Sequence, residues 1–153
     1  MNTVRRWDLL AFGDPCADIV VGVDQAPQFG DKLLGRPLGV FSGGTTANAA
    51  CAMARLGGRA ALFGRVGGDA HATLLRESLQ AFGVDTDYLR GEPDRPSASV
   101  IALVPPSGER AIVYMPMAPT PLQEDELEVA MRQARLFYAM PYDLYEFLSL
   151  IHI

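Results

Sequence analysis

Two adjacent glycines, Gly43 and Gly44, separate an apolar, β-like run at 38–41 from an Ala-rich helical run at 46–56. A strand that feeds a helix through a turn without side chains lets the backbone come close to a small ligand. The segment Gly43-Gly44-Thr45-Thr46-Ala47-Asn48 is therefore read as one wall of a pocket for a compact polar molecule. Upstream, Gly13-Asp14-Pro15-Cys16-Ala17-Asp18 follows the strand-like Leu9-Leu10-Ala11-Phe12. It places a carboxylate just past a strand end, where open α/β sheets bind their ligands. Together the two segments predict a site for a polyol.

The chain as a whole alternates strand and helix signals, the pattern of a parallel sheet with crossover helices. Residues 9–12 read as the first strand. Short apolar runs at 19–23 and 38–41, separated by the turn-rich Gln25-Ala26-Pro27-Gln28-Phe29-Gly30-Asp31, read as a hairpin excursion. The helix at 46–56 carries the small residues Ala47, Ala50, Cys51 and Ala54 on one face, suited to close packing on a sheet, and Gly57-Gly58 ends it. A strand at 60–66 and a helix at 70–82 follow, with Asp69 as N-cap and Gly83 as the stop. Ala72, Leu75, Leu79 and Phe82 share a face of that helix. Runs at 98–104 and 110–115, joined by Pro105-Pro106-Ser107-Gly108-Glu109, read as a second hairpin and imply a second small sheet. A helix at 123–134 then turns Leu127, Ala130, Met131 and Ala134 inward, its first turn acidic and its end basic. A strand at 136–140 closes the pattern.

Composition narrows the partners. With 153 residues, 49% apolar and a net charge of −5, the chain can bury one core and has no polybasic surface, which sets nucleic acid aside. No apolar stretch before Asp14 is long enough for a signal or transmembrane segment, so the expected setting is cytoplasmic, without a membrane partner. Cys16 and Cys51 are too few for a disulfide framework and read as small buried side chains. Two histidines offer no zinc-type cluster, and no metal site is expected in the chain.

From Asp8 to Met140 the chain resembles the ribokinase-like (PfkB-type) sugar and nucleoside kinases. The resemblance rests on spacing: Gly43-Gly44, Asn48 and Ala50, six residues to Gly57, nine more to Gly67, and Asp18 upstream. Thr46 departs from that signature, which usually has Gly, Ala or Pro there. The resemblance implies an α/β fold, the N-terminal part of a ribokinase-like doubly wound sheet, with a small antiparallel β lid formed by about 19–41 and 98–115 over the sugar. It implies a substrate site of Asp18, Gly43, Gly44, Thr45 and Asn48, and a homodimer through the lid. It also implies ATP with Mg2+ in the intact enzyme, which transfers the γ-phosphoryl group to a substrate hydroxyl. The catalytic base, anion hole and nucleotide pocket belong to a Gly-Ala-Gly-Asp-type motif and its surroundings, none of which is in this chain. Residues 1–147 are therefore expected to be the acceptor-binding part of one kinase domain, inactive alone, with no catalytic residue or bound nucleotide of its own. The last six residues, Leu148-Ser149-Leu150-Ile151-His152-Ile153, match what one reading frame of a common transposon sequencing adapter would encode, and 148–153 is expected to be a foreign tail.

The residues support this reading on their own chemistry. An ionised Asp can accept from two neighbouring hydroxyls at once, and such charge-assisted bonds are roughly twice as strong as neutral ones. Asp18 is the candidate, against a plain role in capping a turn. Asn48 offers donors and an acceptor at a rigid helix start, against a helix-cap role. Gly64-Arg65-Val66-Gly67-Gly68-Asp69 lacks G-x-G-x-x-G order and reads as a tight turn with an N-cap. Gly43-Gly44-Thr45-Thr46 is followed by no Lys and is not a P-loop. Thr45 stands where ribose-specific members tend to have Lys, and Cys16 where they tend to have Asn, so the pattern of hydroxyls read should differ. A sugar kinase, a nucleoside kinase of the same fold and a non-catalytic sugar-binding member all remain compatible with these residues.

Overall fold

The structure, a computed structural model, describes residues 5–120 and 123–140; the tail expected at 148–153 lies outside them. Its elements in chain order are β1 (Trp7–Phe12), β2 (Cys16–Gly22), β3 (Arg36–Gly43), α1 (Thr45–Arg55), β4 (Ala60–Gly67) and α2 (Ala70–Ala81). Then come β5 (Leu89–Glu92), β6 (Ser99–Val104), β7 (Ala111–Met115), α3 (Glu124–Arg132) and β8 (Ala134–Ala139).

β1 and β4 are almost wholly apolar because both of their faces are covered. They form the middle of a parallel sheet in the order β5-β4-β1-β8. Leu9, Ala11, Ala60, Leu62 and Val66 point to one face, where they meet Ala47 and Ala50 of α1 and Leu75 and Leu79 of α2. Leu10, Phe12, Ala61 and Phe63 point to the other, against Leu127 and Ala130 of α3. The helices thus cover both faces, as a doubly wound sheet requires. The chain builds outward from β1 through β4 to β5, then returns through α3 to place β8 on the opposite side of β1. That reversal makes the β1/β8 crevice the topological switch point, where such folds bind ligands.

α1 starts where Gly44 takes φ +100°, a conformation closed to other residues at little strain. It ends at Gly57, φ +85°, as a left-handed C-terminal cap does. α2 is capped by Asp69, whose side chain accepts from the Ala72 backbone N–H at 3.1 Å.

The second sheet has the order β3-β2-β6-β7. The two hairpins expected from sequence are both present, β2 with β3 and β6 with β7, each antiparallel. They join through a parallel β2–β6 pairing, with Asp18 opposite Val100, so the lid is a mixed sheet and not a wholly antiparallel one. Pairing β6 with β2 seals the inner strand edges of both hairpins into one layer.

Three local differences have local causes. Residues 64–67 are not a turn but the second half of β4, because glycines at 64 and 67 let neighbouring backbone press against the strand: a Cβ on Gly64 would collide with the Gly13 carbonyl, and one on Gly67 with that of Arg95. β5, Leu-Arg-Gly-Glu, carries no alternating apolar signal and forms because β4 offers it a parallel edge. The third helix stops at Arg132, two residues early, because Ala134 already belongs to β8.

Candidate functional site

The lid sheet stands over the C-terminal end of the parallel sheet, and between them lies a cleft of about 1530 Å³. Residues alternate faces along a strand, so Cys16, Asp18 and Val20 of β2 look into the cleft together. Val100, Ala102 and Val104 of β6 and Ile112 and Tyr114 of β7 extend this inner face. Its floor is Phe12, Gly13, Asp14, Phe63, Gly64 and Arg65, from the ends of β1 and β4.

Of the five residues expected to hold substrate, Asp18, Gly44, Thr45 and Asn48 all line this cleft, brought there by β2 and by the first turn of α1. Gly43 does not line it. A Cβ at Gly43 would collide with the Asp18 carboxylate, so Gly43 makes room for that side chain. Asn48 caps nothing: its N–H donates to the Gly44 carbonyl at 2.8 Å, the first intrahelical bond of α1, and its side chain is left at the exposed cleft surface.

Asp18 is half-buried, and burial pushes its carboxyl pKa up; a hydrogen bond from the Cys16 thiol partly offsets this. No N–H among the described residues donates to it. Cys16 is buried beside it, its pKa pushed up to about 12, first by burial and then by the Asp18 charge. The thiol therefore stays protonated and is a weak donor, not a nucleophile.

Sequence reasoning missed the polar cluster on the floor. Arg65 Nη2 donates to Asp14 Oδ2 at 2.7 Å and Nε to Oδ1 at 3.2 Å, and the Arg65 backbone N–H reaches Oδ1 at 2.8 Å. Arg65 Nη1 also donates to the Ala118 carbonyl at 3.2 Å and to the Thr120 hydroxyl. Arg90 pairs with Glu126 across the cleft rim. The available signal was a lone Arg inside the otherwise small and apolar run Ala60-Ala61-Leu62-Phe63-Gly64-Arg65-Val66-Gly67. Behind the floor, Asp69 accepts from the Ser97 N–H at 2.9 Å and from its hydroxyl at 2.7 Å. Burial opposes the Asp69 charge, but these bonds and the one from Ala72 outweigh it and hold the carboxyl pKa below its ordinary value. Among the described residues no cluster of His, Cys, Asp or Glu could hold a metal ion, and no helix is long and apolar enough to cross a membrane.

This doubly wound sheet under a mixed β lid, with a carboxylate beside a helix N-terminus at the cleft, is the architecture of the ribokinase-like kinases. The profile of the pfkB family of carbohydrate kinases matches residues 8–140, and the chain belongs to that family. It is 36% identical over 109 residues to a ribokinase of Bacillus subtilis, covering 71% of this chain and 36% of that protein. It is 37% identical over 93 residues to a fructokinase of Vibrio alginolyticus (61% and 29%) and 35% identical over 118 residues to an aminoimidazole riboside kinase of Salmonella typhimurium (76% and 35%). The structure of Arabidopsis thaliana ribokinase complexed with ribose and ATP superposes with a TM-score of 0.75 at 28% identity, over 87% of this chain and 45% of that one. The chain thus spans about a third of the length of these curated relatives.

Proposed function

We propose that this chain is the acceptor-binding part of an ATP-dependent kinase that phosphorylates a hydroxyl of a small sugar. The observation that carries the reading is Asp18: a half-buried carboxylate without an N–H donor among the described residues, aimed into a cleft at the C-terminal ends of β1 and β4, with Asn48 and the first turn of α1 lining the same space. Vicinal hydroxyls of a polyol are donors that suit it. A Gly44 backbone and the Thr45 and Asn48 side chains would orient the rest of the molecule, and the lid would exclude water that competes for the phosphoryl group. ATP and Mg2+ would be held by the part of the family's length that this chain does not span, and when bound would supply the phosphoryl group. A cytoplasmic setting is supported by the two free cysteines.

The lid supports two further readings. Its inner face continues past Asp18 as an apolar strip of Val20, Ala102, Val104 and Ile112, more than a bare pentose covers, and this favours a nucleoside acceptor as the second reading. On its outer face Val40, Ile19, Ile101 and Val113 form one cross-strand row, with Val40 and Val113 44% and 54% exposed, which supports a second copy of the protein as the partner covering it.

Coupled detection of ADP formed by the full-length protein, with pentoses, hexoses and ribonucleosides as acceptors, tests the proposal. Turnover of sugars above nucleosides is expected. Tight sugar binding in calorimetry without turnover would replace it with a non-catalytic, sugar-binding role.

A further inference from the structure

We propose that Arg65 is a positioning residue that sets the lid over the cleft, acting through Asp14 on Asp18. The inference rests on the reading of Asp18 as the acceptor-binding carboxylate. The chain passes between the two sheets four times, after β1, after β3, after β5 and after β7. Asp14 lies in the first passage, and the Arg65 guanidinium holds both of its carboxylate oxygens in a two-point fork. Ala118 and Thr120 lie in the last passage, and the same guanidinium donates to both. Thr120 in turn donates to Glu92 Oε1 at 3.0 Å, at the end of β5 where the third passage begins. Gly44 forms the second. A Cβ there would sit 3.1 Å from the Cys16 nitrogen and 3.2 Å from the Asp14 carbonyl, so this passage is packed against the first.

The Arg65 side chain thus bonds to the first and last passages and pairs with Glu92, 3.7 Å away, where the third begins, while the second packs on the first. The link onward to Asp18 is short and stiff. Pro15, fully buried, has its φ fixed by its ring, and Cys16 already belongs to β2. The Arg65 guanidinium bonds to Asp14, Ala118 and Thr120, all of them in the passages between the sheets. Loss of the guanidinium should accordingly loosen the lid while the parallel sheet keeps its packing. A lysine can replace one arm of the fork but not both.

Backbone hydrogen exchange and steady-state kinetics of the full-length protein, for Arg65→Ala, Arg65→Lys and Asp14→Asn, test this. In Arg65→Ala, exchange across β2, β3, β6 and β7 should rise at least about tenfold while β1, β4 and α1 keep their protection. The acceptor KM should rise about tenfold with the ATP KM within about twofold of the parent. Arg65→Lys should fall between parent and Ala, and Asp14→Asn should match Ala. Equal loss of protection in both sheets would show a merely structural role and overturn the proposal. So would unchanged lid exchange, or an unchanged acceptor KM in an active enzyme. The exchange arm needs no substrate: if no sugar is turned over, the kinase reading falls and the exchange result still decides the role of Arg65.

Discussion

On the proposed reading, one side chain, Asp18, carries both acceptor recognition and a pH dependence. Its charge is disfavoured by burial, and a ligand hydroxyl pair would restore what the cleft withholds. In the full-length protein, Asp18→Ala should lower kcat/KM for the acceptor at least about a hundredfold, since two charge-assisted bonds of about 1.5–3 kcal/mol each are lost. The ATP constants should barely move. Asn48→Ala should show the same pattern at smaller size, losing neutral bonds of roughly 0.5–1.5 kcal/mol each. Steady-state kinetics at saturating ATP, with a melting curve as control, is the measurement; unchanged kinetics with a lowered Tm would return Asp18 to a structural role. The sign with pH follows from the raised pKa. Acceptor binding needs the carboxylate, so it should weaken as pH falls through a value above the ordinary Asp range. Stability moves the other way at this residue, because the ionised form works against folding and protonation relieves it. Asp18→Asn should therefore lose acceptor affinity without losing Tm.

At the scale of elements, α1 and α2, which cover one face of the parallel sheet, start in different ways. α1 starts at Gly44, whose positive φ and crowded Cβ position leave no room for a side chain. Gly44→Ala should cost about 1–3 kcal/mol of stability in chemical denaturation, with the lid's first strand displaced. α2 starts at Asp69, which caps the helix and also holds Ser97 at the entry to β6. Removing the cap in Asp69→Ala should cost about 1 kcal/mol or more. Since the folded pKa of Asp69 is depressed, its stabilisation is fully present above the ordinary Asp value and is lost as pH falls through the lower folded one. Acid melts should thus be less steep in Asp69→Asn than in the parent. These elements were legible in the sequence because their signals lie within a few residues: Asp69 before an amphipathic run, small residues spaced along α1, glycines at the stops. β5 was not, since Leu89-Arg90-Gly91-Glu92 is a strand only by virtue of the β4 edge beside it.

At the scale of the whole molecule, the chain exposes apolar surface on both sheets. Among the described residues β8 pairs with β1 alone, and Leu136 on it is 58% exposed. The lid adds Val40, Phe41, Ile112 and Val113. The 153-residue chain expressed by itself should self-associate or bind hydrophobic dyes strongly, as exposed edges and apolar patches do. A monodisperse monomer with one cooperative melting transition would contradict this.

The sequence by itself determined the order and type of most elements and the two hairpins, because periodicity, caps and turn chemistry act between near neighbours, and it singled out Asp18 and Asn48, which line one cleft. Only the tertiary structure decided that the hairpins join in parallel through Asp18 and Val100, that Gly43 makes room for the Asp18 carboxylate, and that Arg65 meets Asp14. Those last two residues lie 51 positions apart. No local preference records such a meeting, since it exists only once the burial of both faces of the parallel sheet has brought the ends of β1 and β4 side by side.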